Sequence, residues 1–165
     1  MTQINSISPV TSHNHPIPVD NDKSGLDNFI EINESKRFVV VQGLGFVGTV
    51  MSLVVANSDQ GEYAVIGVDQ ATEESYWKIA EINAGVCPII SSDPLVSEFF
   101  ESAKQQQNFY ATYDSLAFSY ADVIIVDINL DVTKTKDEVG NIEAYDVPLG
   151  GFRKAIESIG QVCKE

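Results

Sequence analysis

Apolar positions in this chain fall into short β-branched runs separated by stretches of helical period, and that alternation predicts its elements. Phe38-Val39-Val40-Val41 is an unbroken run of strand length, so a first strand is expected over 37–42, and Ala64-Val65-Ile66-Gly67-Val68-Asp69 repeats the signal over 64–69. Between them, residues 46–57 read as a helix with Val47, Val50, Met51, Val54 and Val55 on its buried side. Tyr76, Ile79 and Ile82 place a helix over 73–82, with Gly85 where its C-terminus would lie. Behind Pro94, residues 95–104 carry Leu95, Phe99 and Ala103 on one helical face. A short third strand is expected over 108–112, one or two helical turns over 115–120, and a fourth strand over 122–127. The run Val123-Ile124-Ile125-Val126 suggests that this last strand is buried on both faces. A helix over 152–163 closes the chain, while the polar residues 130–145, with Lys134, Lys136, Asp137 and Glu138 together, read as a solvated loop.

Strands alternating with helices specify an α/β fold with a parallel sheet and right-handed crossovers. Residues 1–35 differ: they are rich in Ser, Asn, Asp and Pro, with scattered apolar positions at Val10, Ile17, Val19, Leu26 and Ile30. Such a composition does not offset the entropy of ordering on its own. The segment is therefore expected to be a flexible polar tail, or one held only by docking on the domain or on a neighbouring chain, and the folded domain is expected over 36–165.

The first strand runs directly into Gly43-Leu44-Gly45-Phe46-Val47-Gly48, a G-x-G-x-x-G loop that opens the first helix. That order is what a dinucleotide pyrophosphate requires: Gly43 for the tight turn, Gly45 where backbone must approach phosphate, and Gly48 where helix and strand pack closely. The helix N-terminus adds free N–H groups and a positive dipole end. The second strand ends in Asp69, whose carboxylate suits the two adenosine ribose hydroxyls and repels an added 2′-phosphate, so the expected cofactor is NAD. Methyltransferases share a Gly-rich first loop and an acid after the second strand, and remain an alternative.

Composition narrows the partners. The chain has 165 residues, 44% of them hydrophobic, and a formal charge of −14, which gives room for one cored domain and argues against nucleic acid. Neither a membrane-length apolar run nor a basic-then-apolar leader is seen, so a cytoplasmic, membrane-free protein is expected. Cys87 and Cys163 form no C-x-x-C pair and read as reduced thiols. His13 and His15 have a spacing that could hold a metal, but their short segment offers too few ligands, and no metal site is expected.

Placed together, these motifs resemble the NAD-binding domain of the UDP-glucose/GDP-mannose dehydrogenase family, from about Lys36 onward. The glycine loop is similar to that family's G-x-G-Y/F-V-G, and Val65-Ile66-Gly67-Val68-Asp69 to its V-x-G-x-D. More specific is Lys78-Ile79-Ala80-Glu81-Ile82-Asn83-Ala84-Gly85-Val86-Cys87-Pro88-Ile89, which resembles K-x-x-x-I-N-x-G-x-x-P-I. Ala111-Thr112-Tyr113-Asp114 and Ala121-Asp122-Val123-Ile124-Ile125 resemble its third and fourth strands. Three departures stand out: a longer segment between Asp69 and Lys78, Ile90-Ser91-Ser92 in place of the usual acid, and Val126-Asp127-Ile128-Asn129-Leu130-Asp131 where V-P-T-P is usual.

The resemblance implies a Rossmann-type doubly wound sheet, here reaching about four strands in the order 3-2-1-4, with Gly43, Leu44, Gly45, Phe46, Val47, Gly48, Asp69, Lys78, Thr112 and Val126 around the cofactor. It implies oxidation of the primary alcohol of a UDP- or GDP-linked hexose to the uronic acid with two NAD⁺, for surface-polysaccharide precursors. It also implies a catalytic cysteine in a separate sugar-binding half, so no catalytic residue is expected here, and a nucleotide sugar would be met only through that half. The fourth strand's outer edge is expected to drive homo-oligomer formation or to be covered by residues 1–35. A nucleotide-sensing module like those that gate potassium transporters shares the first loop and the strand-two acid, but lacks the I-N-x-G-x-x-P-I segment.

Overall fold

The computed structural model describes residues 3–58, 61–130 and 132–163. Met1 and Thr2 of the expected tail, Asp131 after the fourth strand and the final two residues of the expected domain lie outside the described residues. Strands β3 (Arg37–Gln42), β4 (Tyr63–Val68), β5 (Phe109–Thr112) and β6 (Val123–Val126) form a parallel sheet in the order β5-β4-β3-β6, which is the expected 3-2-1-4. Helix α2 (Phe46–Ala56) crosses from β3 to β4, and α3 (Tyr76–Asn83) with α4 (Pro94–Gln106) crosses from β4 to β5. A fifth helix, α5 (Gly150–Val162), follows β6. The fold is a Rossmann-type α/β sheet.

One sheet face presents Val39, Val41, Val65 and Ala111 to Leu53 and Ala56 of α2, Ile79 and Ile82 of α3, and Val96, Phe100 and Ala103 of α4. The other presents Phe38, Val40, Ala64, Ile66 and Val68. Between β5 and β6 the chain forms only a 3₁₀ helix, Ser115–Tyr120, too short to cover that second face. A parallel sheet needs both faces covered. The residues before Lys36 supply the cover: α1 (Lys23–Ile32) inserts Leu26 and Phe29, 0% and 6% exposed, against this face, joined by Ile159 of α5. Upstream, β1 (Asn5–Ile7) and β2 (Asn14–Pro16) pair as a hairpin. The described residues of this segment are bonded to the domain at β5, through Asp22, and at the start of α3, through Ser6.

Several packing details differ from the pattern-based expectation. Helix α2 buries Gly48, Thr49, Ser52, Leu53 and Ala56, while Val47, Met51 and Val54 are exposed. Gly48, Thr49 and Ser52 lie beneath the helix where loop and strand approach closely, Leu53 and Ala56 enter the core further along, and the expected Val50 and Val55 are half-buried against it. Helix α4 likewise buries Val96 and Phe100 and leaves Leu95 exposed. Strand β6 pairs only with β3 among the described residues, and as an edge it leaves Val123 exposed and the rest half-buried. The expected loop over 130–145 is an exposed hairpin, β7 (Thr133–Lys136) and β8 (Ile142–Asp146), closed by a turn with Gly140 at φ +95°.

The edge strand β5 is capped by a side chain. Asn83 at the end of α3 accepts from the Ala111 N–H at 2.9 Å and donates to its carbonyl at 2.7 Å, mimicking a neighbouring strand. This explains the asparagine of the I-N-x-G segment. Asn108, expected as a strand residue, is instead buried just before β5, donating to the carbonyls of Ala56 and Tyr63.

Asp22, immediately before α1, accepts from Tyr110 Oη at 2.9 Å and Thr112 Oγ1 at 2.6 Å, fastening the amino-terminal segment to β5. Burial first, and the bond to Asp22 second, hold the Tyr110 phenol above the ordinary tyrosine range. The folded chain thus keeps a proton that the unfolded chain releases near pH 10, so this stabilisation is complete below about pH 10 and lost as pH rises further. Urea unfolding at about pH 8 and about pH 11 is expected to show an alkaline loss of stability that is smaller in Tyr110→Phe. An equal loss in both proteins would remove Tyr110 as its source.

Candidate functional site

A crevice of about 770 Å³ opens at the carboxyl ends of the parallel strands, within the range of small-molecule sites. Gln42 at the end of β3, Asp69 after β4, Tyr113 after β5 and Asp127 after β6 all line it. This is the place where an open α/β sheet receives ligands, between loops that diverge to opposite faces. Of the residues expected around the cofactor, Gly45, Phe46, Val47, Asp69 and Lys78 line this crevice.

The three loop glycines have different reasons for being glycine. Gly43 has φ +100°, and a Cβ there would lie 1.9 Å from the Asp127 carbonyl oxygen. At Gly48 a Cβ would lie 2.0 Å from the Gly43 carbonyl oxygen. Both positions are dictated by the protein's own packing. Gly45 is not: its backbone is extended at φ −69°, it is exposed, and a Cβ there would come no nearer to a heavy atom than 4.0 Å, at Asp127 Oδ2. Helix α2 starts at this point with no side chain capping it, so the first-turn amides face the crevice with the positive end of the dipole.

Leu44 links the loop to the second strand. Its side chain, 1% exposed, fills the space that Gly67 leaves open on β4, where a Cβ would lie 2.4 Å from Leu44 Cδ2. Its N–H donates to Asp69 Oδ2 at 3.1 Å. Asp69 also accepts from the Gln70 N–H at 2.8 Å and from Lys78 Nζ at 2.5 Å. Three of the roughly four acceptor positions on this carboxylate are thereby used. The Lys78 ammonium uses one of its three donors on Asp69, so the pair together presents both acceptor and donor capacity at the end of β4.

Thr112 and Val126 are placed away from this surface. Thr112 is fully buried, with its hydroxyl committed to Asp22, and Val126 packs in the second core face with the 3₁₀ helix. The sequence reading missed several lining groups. Gly151, Lys154, Ala155 and Ser158 lie at i, i+3, i+4 and i+7 on α5 and form one wall, a period visible in the sequence but without a motif to attach it to the site. Tyr113 also lines the crevice. Its phenol is pushed up to about 12, chiefly by burial and then by the charge of Asp22, and stays protonated. Asp127 brings a carboxylate beside the glycine loop, which opposes an anion there. Lining charges nevertheless balance, with Asp69 and Asp127 against Lys78 and Lys154, in a chain of formal charge −14.

Neither cysteine belongs to the site. Cys87 packs half-buried against the first core face with its thiol pushed up by burial, and Cys163 lies at the end of α5 with its thiol 3.9 Å from the Phe118 carbonyl oxygen. No helix among the described residues is long and apolar enough to cross a membrane.

Known structures share this fold. NDP-N-acetyl-D-galactosaminuronic acid dehydrogenase from Methanosarcina mazei Go1 superposes with a TM-score of 0.65 at 20% identity, over 84% of this chain and 28% of its own. UDP-D-ManNAc dehydrogenase from Pyrococcus horikoshii gives 0.56 at 22% identity, over 76% of this chain and 25% of its own. The present chain therefore spans about a quarter of the length of these proteins, and the likeness at such identity is one of fold. Comparison with curated proteins returned no significant match. The family described as UDP-glucose/GDP-mannose dehydrogenase, NAD binding domain, matches residues 37–165, from the first residue of β3 through α5. With the glycine loop, the Asp69–Lys78 pair and the Asn83 clamp inside that match, the chain belongs to the UDP-glucose/GDP-mannose dehydrogenase family through its NAD-binding domain.

Proposed function

We propose that this chain is the cofactor-binding half of a nucleotide-sugar dehydrogenase, and that NAD lies across the carboxyl ends of β3 and β4. Gly45 is the observation that carries this reading. The fold makes no steric or conformational demand for glycine at that exposed position, so the demand comes from what approaches it, and a pyrophosphate seated on the first-turn amides of α2 supplies one. In this reading Gly43 and Gly48 shape the loop, the amides of Phe46, Val47 and Gly48 receive phosphate oxygens, and Asp69 with Lys78 holds the adenosine ribose. Thr112 and Val126 support the strand ends from beneath.

Bound there, NAD would supply a hydride acceptor. The chain's own residues bind and orient it, and Tyr113 and Lys154 narrow the opening through which a substrate would reach it. The sugar chemistry belongs to a second half of the protein in this proposal. Both structural relatives are named for N-acetylated, nucleotide-linked sugars, which supports a UDP- or GDP-linked hexose oxidised to its uronic acid. A cytoplasmic setting, in the supply of precursors for surface polysaccharide, completes the reading.

Two substitutions test it. Gly45→Val is expected to leave the circular dichroism spectrum unchanged and to abolish NAD⁺ binding in a calorimetric titration, because the new side chain projects into space that only the ligand needs. Retained affinity in the folded variant would reduce the loop to a structural turn. Asp69→Ala is expected to weaken NAD⁺ binding by about 1–3 kcal/mol, the cost of leaving buried hydroxyls unpaired, and to narrow the preference for NAD⁺ over NADP⁺. Equal affinity of the unmodified protein for both cofactors, or tighter binding of S-adenosylmethionine than of either, would contradict the assignment.

A further inference from the structure

The amino-terminal hairpin carries a side-chain cluster that the cofactor reading does not use. Ser6, fully buried in β1, donates to the Glu73 carbonyl at 2.6 Å and accepts from the Trp77 N–H at 3.0 Å, which seats the hairpin on the start of α3. One turn further along α3, Glu81 faces the hairpin with 1% exposure. The Thr11 hydroxyl donates to Glu81 Oε1, and His15 Nε2 lies 3.8 Å from that same oxygen. His13 comes from the turn just before, its ring edge-on to that of His15 with centroids 6.2 Å apart. One ligating atom from each of His13, His15 and Glu81 falls within 4.8 Å of the others.

Two of these groups are buried and unfulfilled. Among the described residues neither Glu81 Oε2 nor His15 Nε2 has a hydrogen-bond partner, although both atoms are shut off from solvent. A buried carboxylate oxygen and a buried imidazole nitrogen left without partners, on residues whose ligating atoms cluster within 4.8 Å, are costly unless something binds there. The sequence shows only the two histidines in one short segment; the fold brings the third ligand from residue 81.

We propose that His13, His15 and Glu81 form a site for a transition-metal dication of the zinc class. Two imidazoles and one carboxylate suit zinc, whereas calcium and magnesium favour all-oxygen shells. Ligand atoms around a four-coordinate zinc ion stand roughly 3.4 Å apart, from bond lengths near 2.1 Å, so a modest inward turn of the exposed His13 closes the present arrangement. A water molecule completes the fourth position. Thr11 orients the carboxylate by holding Oε1 and leaving Oε2 free, the usual part of an outer-shell partner. The ion clips the hairpin to the helix that also carries Lys78, which the cofactor site uses. This site is separate from the NAD crevice, and either assignment can fail without the other.

The test uses the full chain, free of any affinity tag and stripped of metal, titrated with Co²⁺ and followed by visible absorption. One equivalent is expected to bind with the intense bands of a four-coordinate ion and no thiolate-to-metal charge transfer, to be displaced by Zn²⁺, and to raise the Tm. Because outer-shell changes alone cost about tenfold in affinity, His13→Ala and Glu81→Gln are each expected to weaken binding by roughly tenfold or more. His13 is exposed, so its variant remains informative if Glu81→Gln fails to fold. A six-coordinate spectrum, binding abolished by Cys87→Ser or Cys163→Ser, unaltered affinity in His13→Ala, or no binding at all would overturn the site.

Discussion

The constraint on which the rest depends is the contact between the glycine loop and the chain leaving β6. A side chain at Gly43 would meet the Asp127 carbonyl oxygen at 1.9 Å, and one at Gly48 would meet the Gly43 carbonyl oxygen at 2.0 Å. Backbone is therefore packed on backbone where three segments converge. That closeness draws the first turns of α2 down onto the strand, sets Gly48, Thr49 and Ser52 on its buried side, and leaves its N-terminus open at the crevice. Leu44 then fills the space over Gly67, and its N–H fixes Asp69. The anion cradle and the ribose carboxylate are thus set by one packing arrangement.

A second constraint is the coverage of the sheet. With only a 3₁₀ helix between β5 and β6, the face bearing Val40 and Ile66 depends on α1 and α5. Asp22 secures α1 through Tyr110 and Thr112, and the hairpin before it is held by Ser6 on α3. The amino-terminal residues consequently complete the core, and they also commit Thr112 to a structural hydrogen bond rather than to the crevice.

Much of this was legible in the sequence. The four strands follow from β-branched runs, because a strand buried on a parallel sheet has few other compositions available, while their order came from the family resemblance. The loop turn and Asp69 were legible for a similar reason: Gly43 and Gly48 each answer a steric need of the fold, and the acid at the end of β4 accepts the Leu44 N–H. Helix faces were less so. Nearly every residue of α2 is apolar, so periodicity gives little direction, and close approach at the start of the helix turned Gly48, Thr49 and Ser52 inward together with Leu53. The hairpin over 133–146 buries nothing, and its Thr-Lys-Thr-Lys alternation carries no apolar signal. Leu26 and Phe29 sit in a polar segment whose role is set by a gap elsewhere in the fold, and Glu81 reads as a surface residue until the hairpin is seen to cover it.

The central claim is that the open amides at the start of α2, together with Asp69, receive NAD. Titrating NAD⁺ into the ¹⁵N-labelled chain and following amide resonances tests it most directly. The largest shifts are expected at Gly45, Phe46, Val47 and Gly48 and at Asp69 and Gln70, with those of α1 and the β7–β8 hairpin nearly unmoved. Shifts confined to residues outside the crevice, or none at saturating NAD⁺, would contradict the account.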